Sequence, residues 1–157
     1  MSAKPLASVE LEKMPGHYIR RLHQIAVGLF MEETEAFGLT PVQFAALSAV
    51  QRQSGIDQRT LARTIGFDTS TIGGVIDRLE LRGLMRRNAS PGDRRVRLLT
   101  VTPEGQDVLE RIMPSMLKTQ QRILQPLPAA EQTEFVRLLK ILVEANNDAS
   151  RAPSEAD

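Results

Sequence analysis

At 157 residues, 41% hydrophobic and with a formal net charge of +1, the chain has the apolar content of one packed domain with room for an oligomerising extension; aromatics at 4% make that core aliphatic. Cysteine is absent, which excludes disulfides, thiolate metal ligands and thiol redox chemistry. No apolar run approaches the roughly 18 residues of a membrane span and no leader pattern stands at the start, so the reading is a cytoplasmic protein without membrane contact.

In chain order, residues 1–15 carry little pattern and read as an arm closed by Pro15-Gly16. Ile19, Leu22, Ile25, Ala26, Leu29 and Phe30 then recur at helical spacing, predicting a first helix over about 17–36 that ends at Gly38. Thr40-Pro41 pairs an N-cap residue type with proline at the first helical position, opening a second helix to about 53 that buries Phe44, Leu47 and Val50. Leu61, Ala62 and Ile65 mark a shorter helix stopped by Gly66. The cap-type cluster Asp68-Thr69-Ser70-Thr71 opens the next, with Ile72, Val75, Ile76 and Leu79 inward and Gly83 at the left-handed C-terminal position.

Residues 84–102 read as two short strands joined by a turn over Ser90-Pro91-Gly92-Asp93, where proline presets φ and glycine tolerates a positive one. Arg86, Arg87, Arg94, Arg95 and Arg97 fall on this hairpin against Asp93 alone. A finger so charged buries little apolar surface but suits a phosphate backbone and a groove. Helix, tight turn, helix and arginine hairpin together make a helix-turn-helix followed by a wing.

Thr102-Pro103 starts a fifth helix with Val108, Leu109, Ile112, Met116 and Leu117 on its apolar face and Pro114 as a kink; a sixth over about 129–146 carries Phe135, Leu138, Leu139, Ile141, Leu142 and Val143. The polar tail 148–157 reads as disordered. The fold class is therefore mainly α with a small β wing: residues 39–102 form the winged unit, and 1–38 with 103–147 form a helical region whose apolar faces pair two chains as an intertwined homodimer. The alternative is a monomer with its terminal helices folded back.

Charge follows this division. Residues 39–102 hold ten arginines and no lysine against five carboxylates, while the remainder carries ten basic against fourteen acidic residues. All-arginine chemistry favours bidentate contacts to phosphate and base edges, so double-stranded DNA is the expected partner. There is no His-Glu-x-x-His, no glycine-rich phosphate loop and no nucleophile motif, so the chain reads as no enzyme, and no cofactor is implied. A non-specific architectural DNA binder is the competing reading.

Leu39-Thr40-Pro41-Val42-Gln43-Phe44-Ala45-Ala46-Leu47, Asp77-Arg78-Leu79-Glu80-Leu81-Arg82-Gly83-Leu84, and Asp93-Arg94-Arg95 through Val101-Thr102-Pro103-Glu104-Gly105 resemble the MarR family of bacterial transcriptional regulators. The resemblance covers about residues 15–147. It implies a homodimeric winged helix-turn-helix repressor that binds a palindromic operator and releases it when a small phenolic or aromatic acid binds. Carried over, it places Thr69, Ser70 and Thr71 at the groove end of the recognition helix, where N-terminal amides and hydroxyls hold phosphate or a base edge. It puts Arg78 on the phosphate backbone and Arg95 in the minor groove, with Asp93 orienting Arg95 by a charge-assisted hydrogen bond. Where many relatives carry a basic residue in mid-helix, this chain has Gly73-Gly74. Either the helix approaches a neighbour or DNA closely there, or readout leans on its N-terminus and the wing.

The family's pockets lie between dimerisation helices and winged unit, which makes His17, Tyr18, Arg20, Arg21 and His23 the ligand candidates. An arginine there would fork onto a carboxylate and a histidine would bond a ring hydroxyl. Equally, Arg20 and Arg21 would pair across the dimer with Glu32-Glu33-Glu35. His17 and His23 are six apart, a poor spacing for one metal on one helix face, so no metal site is expected. The string from Pro15 to Ala26 resembles members that control aromatic-acid catabolism.

Overall fold

A computed structural model describes residues 10–150. Six helices and a two-stranded antiparallel sheet follow in order: α1 (Pro15–Thr34), α2 (Pro41–Arg52), α3 (Gln58–Ile65), α4 (Thr69–Leu81), β1 (Met85–Ala89), β2 (Arg97–Val101), α5 (Pro103–Leu124) and α6 (Ala129–Ala145). Short 3-10 turns stand at Leu11–Lys13, Glu35–Phe37 and Asn147–Ala149. Ordered turns correct the arm reading over residues 10–15 and the tail reading over 148–150; the remainder of both segments lies outside the described residues.

The caps explain the boundaries. Thr40 and Gln43 form a reciprocal capping box, at 3.2 and 3.1 Å, ahead of α2. Asp57 accepts from the Thr60 amide at 2.6 Å, Asp68 from Thr71 at 2.9 Å, and the Thr102 hydroxyl from Gly105 at 3.0 Å, opening α3, α4 and α5. Gly38, Gly66 and Gly83 stop helical segments in the left-handed region, with φ of 60, 68 and 71°. Helix α5 continues through Pro114.

The winged unit closes around Leu47, Val50, Leu61, Ile72, Ile76, Leu79, Met85 and Leu99, all fully buried, and Leu109 and Ile112 of α5 complete this core. Sheet register runs from Met85 opposite Val101 to Ala89 opposite Arg97. A further piece went unread in the sequence: the Gly55 amide donates to Leu99 O at 2.8 Å and the Leu99 amide to Ile56 O at 2.9 Å, so residues 55–57 add a rudimentary third strand beside β2. It braces the wing against the start of α3.

Helix α1 lies along α5. Glu33 binds Lys118 at 2.9 Å and Arg122 at 2.6 Å, which fixes their mutual rotation. Helix α6 buries no residue, and Val136, Leu138, Leu139, Ile141, Leu142 and Val143 stand exposed along it. Such an apolar stripe marks an unpartnered surface.

Candidate DNA-binding face and adjoining cavity

The exposed face of α4 begins with Thr69, Ser70 and Thr71 and continues through Gly74, Asp77, Arg78 and Leu81. Asp68 holds its N-terminus: the Ser70 hydroxyl donates to it at 2.5 Å and the Thr71 amide at 2.9 Å. Those bonds, Ser70 first, lower the Asp68 carboxyl to about 2. The Thr71 amide is therefore taken by a carboxylate and is not open to phosphate as the sequence reading held. With its proton committed to Asp68, Ser70 turns acceptor lone pairs outward, which suits a base-edge donor rather than a phosphate.

The two mid-helix glycines have different surroundings. A Cβ on Gly73 would come 3.2 Å from Gln58 Nε2 of α3, the far end of a flexible side chain that would have to give by a few tenths of an ångström. A Cβ on Gly74 meets nothing within 4 Å, and that residue lies bare in the middle of the outward face.

In the wing, every residue from Pro91 to Arg97 is exposed. The tight turn spans Asp93 to Val96, closed by Val96 N–H to Asp93 O at 3.1 Å, instead of Ser90 to Asp93. Gly92 does not adopt a positive φ. Asp93 decides this: its carboxylate accepts from the Arg95 backbone amide at 2.9 Å, a local turn-forming bond. The bond between Asp93 and Arg95 is thus made at the backbone amide, and it shapes the turn that carries the Arg95 side chain.

Among the described residues, the guanidinium groups of Arg78, Arg86, Arg94, Arg95 and Arg97 have no intramolecular partner. Arg87 departs from the hairpin cluster. Its Nη1 binds Asp77 at 2.5 Å and Glu80 at 2.9 Å, its Nη2 donates to Gly73 O at 3.0 Å, and its own amide donates to Glu80 at 2.9 Å. It clamps β1 to α4 and fixes the wing against the recognition helix. No local sequence pattern signals this, because the partners lie seven to fourteen residues upstream.

A cavity of about 240 Å³ opens between α1, α2 and α5, lined mainly by Ala26, Val27, Phe30, Phe44, Met116 and Ile123, with His23, Thr119 and Gln120 as its polar groups. A second hollow of about 300 Å³, bounded by Ile19, Leu22, Phe135 and Leu139, shares the His23 and Gln120 wall. Of the five ligand candidates, only His23 faces them. Arg20 bonds Gln24 one turn on at 3.2 Å, His17 and Tyr18 stack edge to face at 5.4 Å, and Arg21 is exposed. Helical phase is the reason: at about 100° per residue, Arg21 sits about half a turn out of phase with Phe30. Phe30, Phe44 and Gln120 went unread because a cavity lining and a core face share one periodicity.

Behind the cavity, Lys118 and then Arg122 hold the Glu33 carboxyl below its usual range. Glu32 and Glu33 are thus engaged within their own chain, by Arg122 at 3.1 and 2.6 Å, and are not vacant partners for Arg20 or Arg21. Among the described residues no His, Asp or Glu group could hold a metal ion, and no helix is long and apolar enough to cross a membrane.

The MarR family model matches residues 39–96. The chain is 36% identical to the PcaV transcriptional regulator of Streptomyces coelicolor, solved in complex with its natural ligand; the match covers 89% of this chain and 99% of that one, with a TM-score of 0.80. It is 30% identical to BpsR of Bordetella bronchiseptica, over 87% and 97% of the two chains with a TM-score of 0.82, in a structure concerned with regulation of DNA binding by 6-hydroxynicotinic acid. It is 26% identical to the transcriptional repressor NicR of Pseudomonas putida over 94% of this chain and 95% of that protein.

Proposed function

The chain belongs to the MarR family, whose members are DNA-binding transcription regulators and not enzymes, and on that premise we propose that it is a homodimeric repressor released from a palindromic operator by a small aromatic carboxylate. The observation that carries the reading is the position of the cavity. One wall, Pro41 and Phe44, belongs to the DNA-binding unit, and the others belong to α1 and α5. An occupant that fits one arrangement of these walls better than another shifts how the two recognition helices are spaced.

The cavity chemistry suits such an occupant. Apolar and aromatic side chains cover a planar ring, while His23 and Gln120 offer bonds to a ring hydroxyl or a carboxylate. Arg20 and Arg21 stand on the outer surface of α1, so they serve the acid only if the dimer brings them to the partner's cavity. Dimerisation itself is supported by the exposed apolar faces: Ile19 and Leu117 are each 59% exposed and Val143 65%. Two copies would place two winged units on half-sites about one helical turn apart.

On DNA, Arg78, Arg86, Arg94 and Arg97 are assigned to phosphates, Arg95 to the minor groove, and Thr69, Ser70 and Thr71 to the major-groove edge. The bare Gly74 favours a second reading, an architectural binder with little base discrimination. Selection from random duplexes separates the two. A repressor enriches an inverted repeat, and calorimetry with 6-hydroxynicotinate and 4-hydroxybenzoate then shows acid binding that weakens on the operator. Enrichment of no sequence sinks the repressor reading, and failure of every aromatic acid to bind sinks the effector assignment.

A further inference from the structure

We propose that Arg82 is a positioning residue that transmits the state of the cavity to the recognition helix. It ties the C-terminal end of α4 to the turn joining α1 and α2, the two helices that wall the cavity. Its Nη1 donates to Gly38 O and its Nη2 to Phe37 O, each at 2.8 Å, across 44 and 45 residues of sequence. Two parallel N–H groups meeting two successive carbonyls is a geometry that a guanidinium satisfies and an ammonium does not.

The surroundings make this turn the compliant point. On its far side Leu39 is buried and the Thr40–Gln43 capping box fixes the first turn of α2. On its near side α1 has already given way to the 3-10 turn at Glu35–Phe37, and Gly38 takes a φ of 60°. Helix α5 holds Phe37 by the guanidinium of Arg111, 5.7 Å from the ring centre. Any change in the angle between α1 and α2 therefore concentrates at residues 35–38, where Arg82 holds on. Arg82 is also the C-cap of α4, one turn beyond Arg78, whose guanidinium is free for DNA. A molecule that wedges α1 from α2 moves the two carbonyls. The fork then either draws α4 with it or lets go, which gives two discrete arrangements.

This rests on the cavity being the effector site, so the experiment has one arm that needs no effector. Operator affinity of the full-length protein is measured with and without 6-hydroxynicotinate and 4-hydroxybenzoate in wild type, Arg82→Gln and Arg82→Lys. In the second arm Ala26→Phe, or Ala26→Leu should the larger side chain unfold the protein, fills the cavity in wild-type and Arg82→Gln backgrounds. Arg82→Gln is expected to bind the acids as wild type does and to keep its acid-free operator affinity within about threefold. The acid-induced loss of that affinity shrinks from about tenfold or more to less than about threefold, with Arg82→Lys between. The filled cavity weakens operator binding only where Arg82 is present. A full acid response in Arg82→Gln, or equal effects of the filled cavity in both backgrounds, overturns the proposal. So does an acid-free loss of operator affinity with a shallower salt dependence, which would make Arg82 a phosphate contact. If neither acid binds wild type but the filled cavity still acts through Arg82, the effector assignment fails and the positioning role stands.

Discussion

Removing Arg87 separates a clamp from a DNA contact. The side chain is 21% exposed and makes three bonds, to Asp77 at 66% exposure, to Glu80 at 33% and to the Gly73 carbonyl. The Asp77 pair, open to solvent, contributes roughly 0.5 kcal/mol. The half-buried Glu80 pair and the carbonyl bond contribute about 1 kcal/mol each. Arg87→Ala therefore costs about 2–3 kcal/mol of stability in the winged unit, measured by urea unfolding. Operator affinity falls too, because the wing loses its fixed angle to α4. The decisive reading is its salt dependence. A lost phosphate contact reduces the slope of log K against log salt by about 0.9, whereas a lost clamp lowers affinity at every salt concentration and leaves the slope. A shallower slope with unchanged unfolding would refute the clamp.

Arg95→Ala, by contrast, is expected to cost about 1–3 kcal/mol of operator binding while thermal melting stays put; coupled loss of melting temperature would argue for a structural role. Gly74→Ala meets no neighbouring atom, so it stabilises α4 by about 0.8–1 kcal/mol, and it weakens operator binding if helix backbone sits against the groove there; unchanged binding by anisotropy would move readout to Ser70 and the wing. Gly105→Ala drives a Cβ to 2.2 Å from the Leu84 carbonyl and 2.7 Å from Val101 Cγ1, and costs about 2–3 kcal/mol in the same unfolding assay. Because Glu33 has a lowered pKa when folded, its contribution is present above the ordinary value of 4.5 and is lost as pH falls through the lower folded value. Glu33→Gln should accordingly lose stability at neutral pH and flatten the stability curve below about pH 4.5; an unaltered acid limb would place the pairing at the surface, without consequence.

Most of the fold is legible because its boundaries are chemically local. Thr40, Asp68 and Thr102 announce helix starts, Gly38, Gly66 and Gly83 announce stops, and the inward periodicity between them is unambiguous. The misreadings share the opposite property. Residues 55–57 form a strand only because β2 lies beside them, and Gly-Ile-Asp alone has a loop's composition. The wing turn follows one side-chain bond from Asp93 that outweighs the Pro-Gly signal. For the cavity, the sequence reading reached its helix and one lining residue, His23, while Arg20 and Arg21 stand on another face of that helix within the single chain. Titratable residues drew the reading toward Arg20 and Arg21, while the walls are ordinary apolar positions.

The arginines make the same point in energetic terms. Seven lie between residues 78 and 97, and composition treats them alike. Arg82 and Arg87 end beside the backbone carbonyls of Phe37, Gly38 and Gly73, with carboxylates adding to Arg87. For these two the desolvation penalty is met within the chain, so DNA gains little by approaching them. Arg78, Arg86, Arg94, Arg95 and Arg97 remain hydrated, and each one that meets a phosphate releases a condensed counterion from the DNA. Of these seven, five leave their charge open to solvent and two engage theirs within the chain. Removing any of the five is expected to change how strongly salt competes; removing Arg87 is expected to loosen the angle of the wing, and removing Arg82 to blunt the response to a filled cavity.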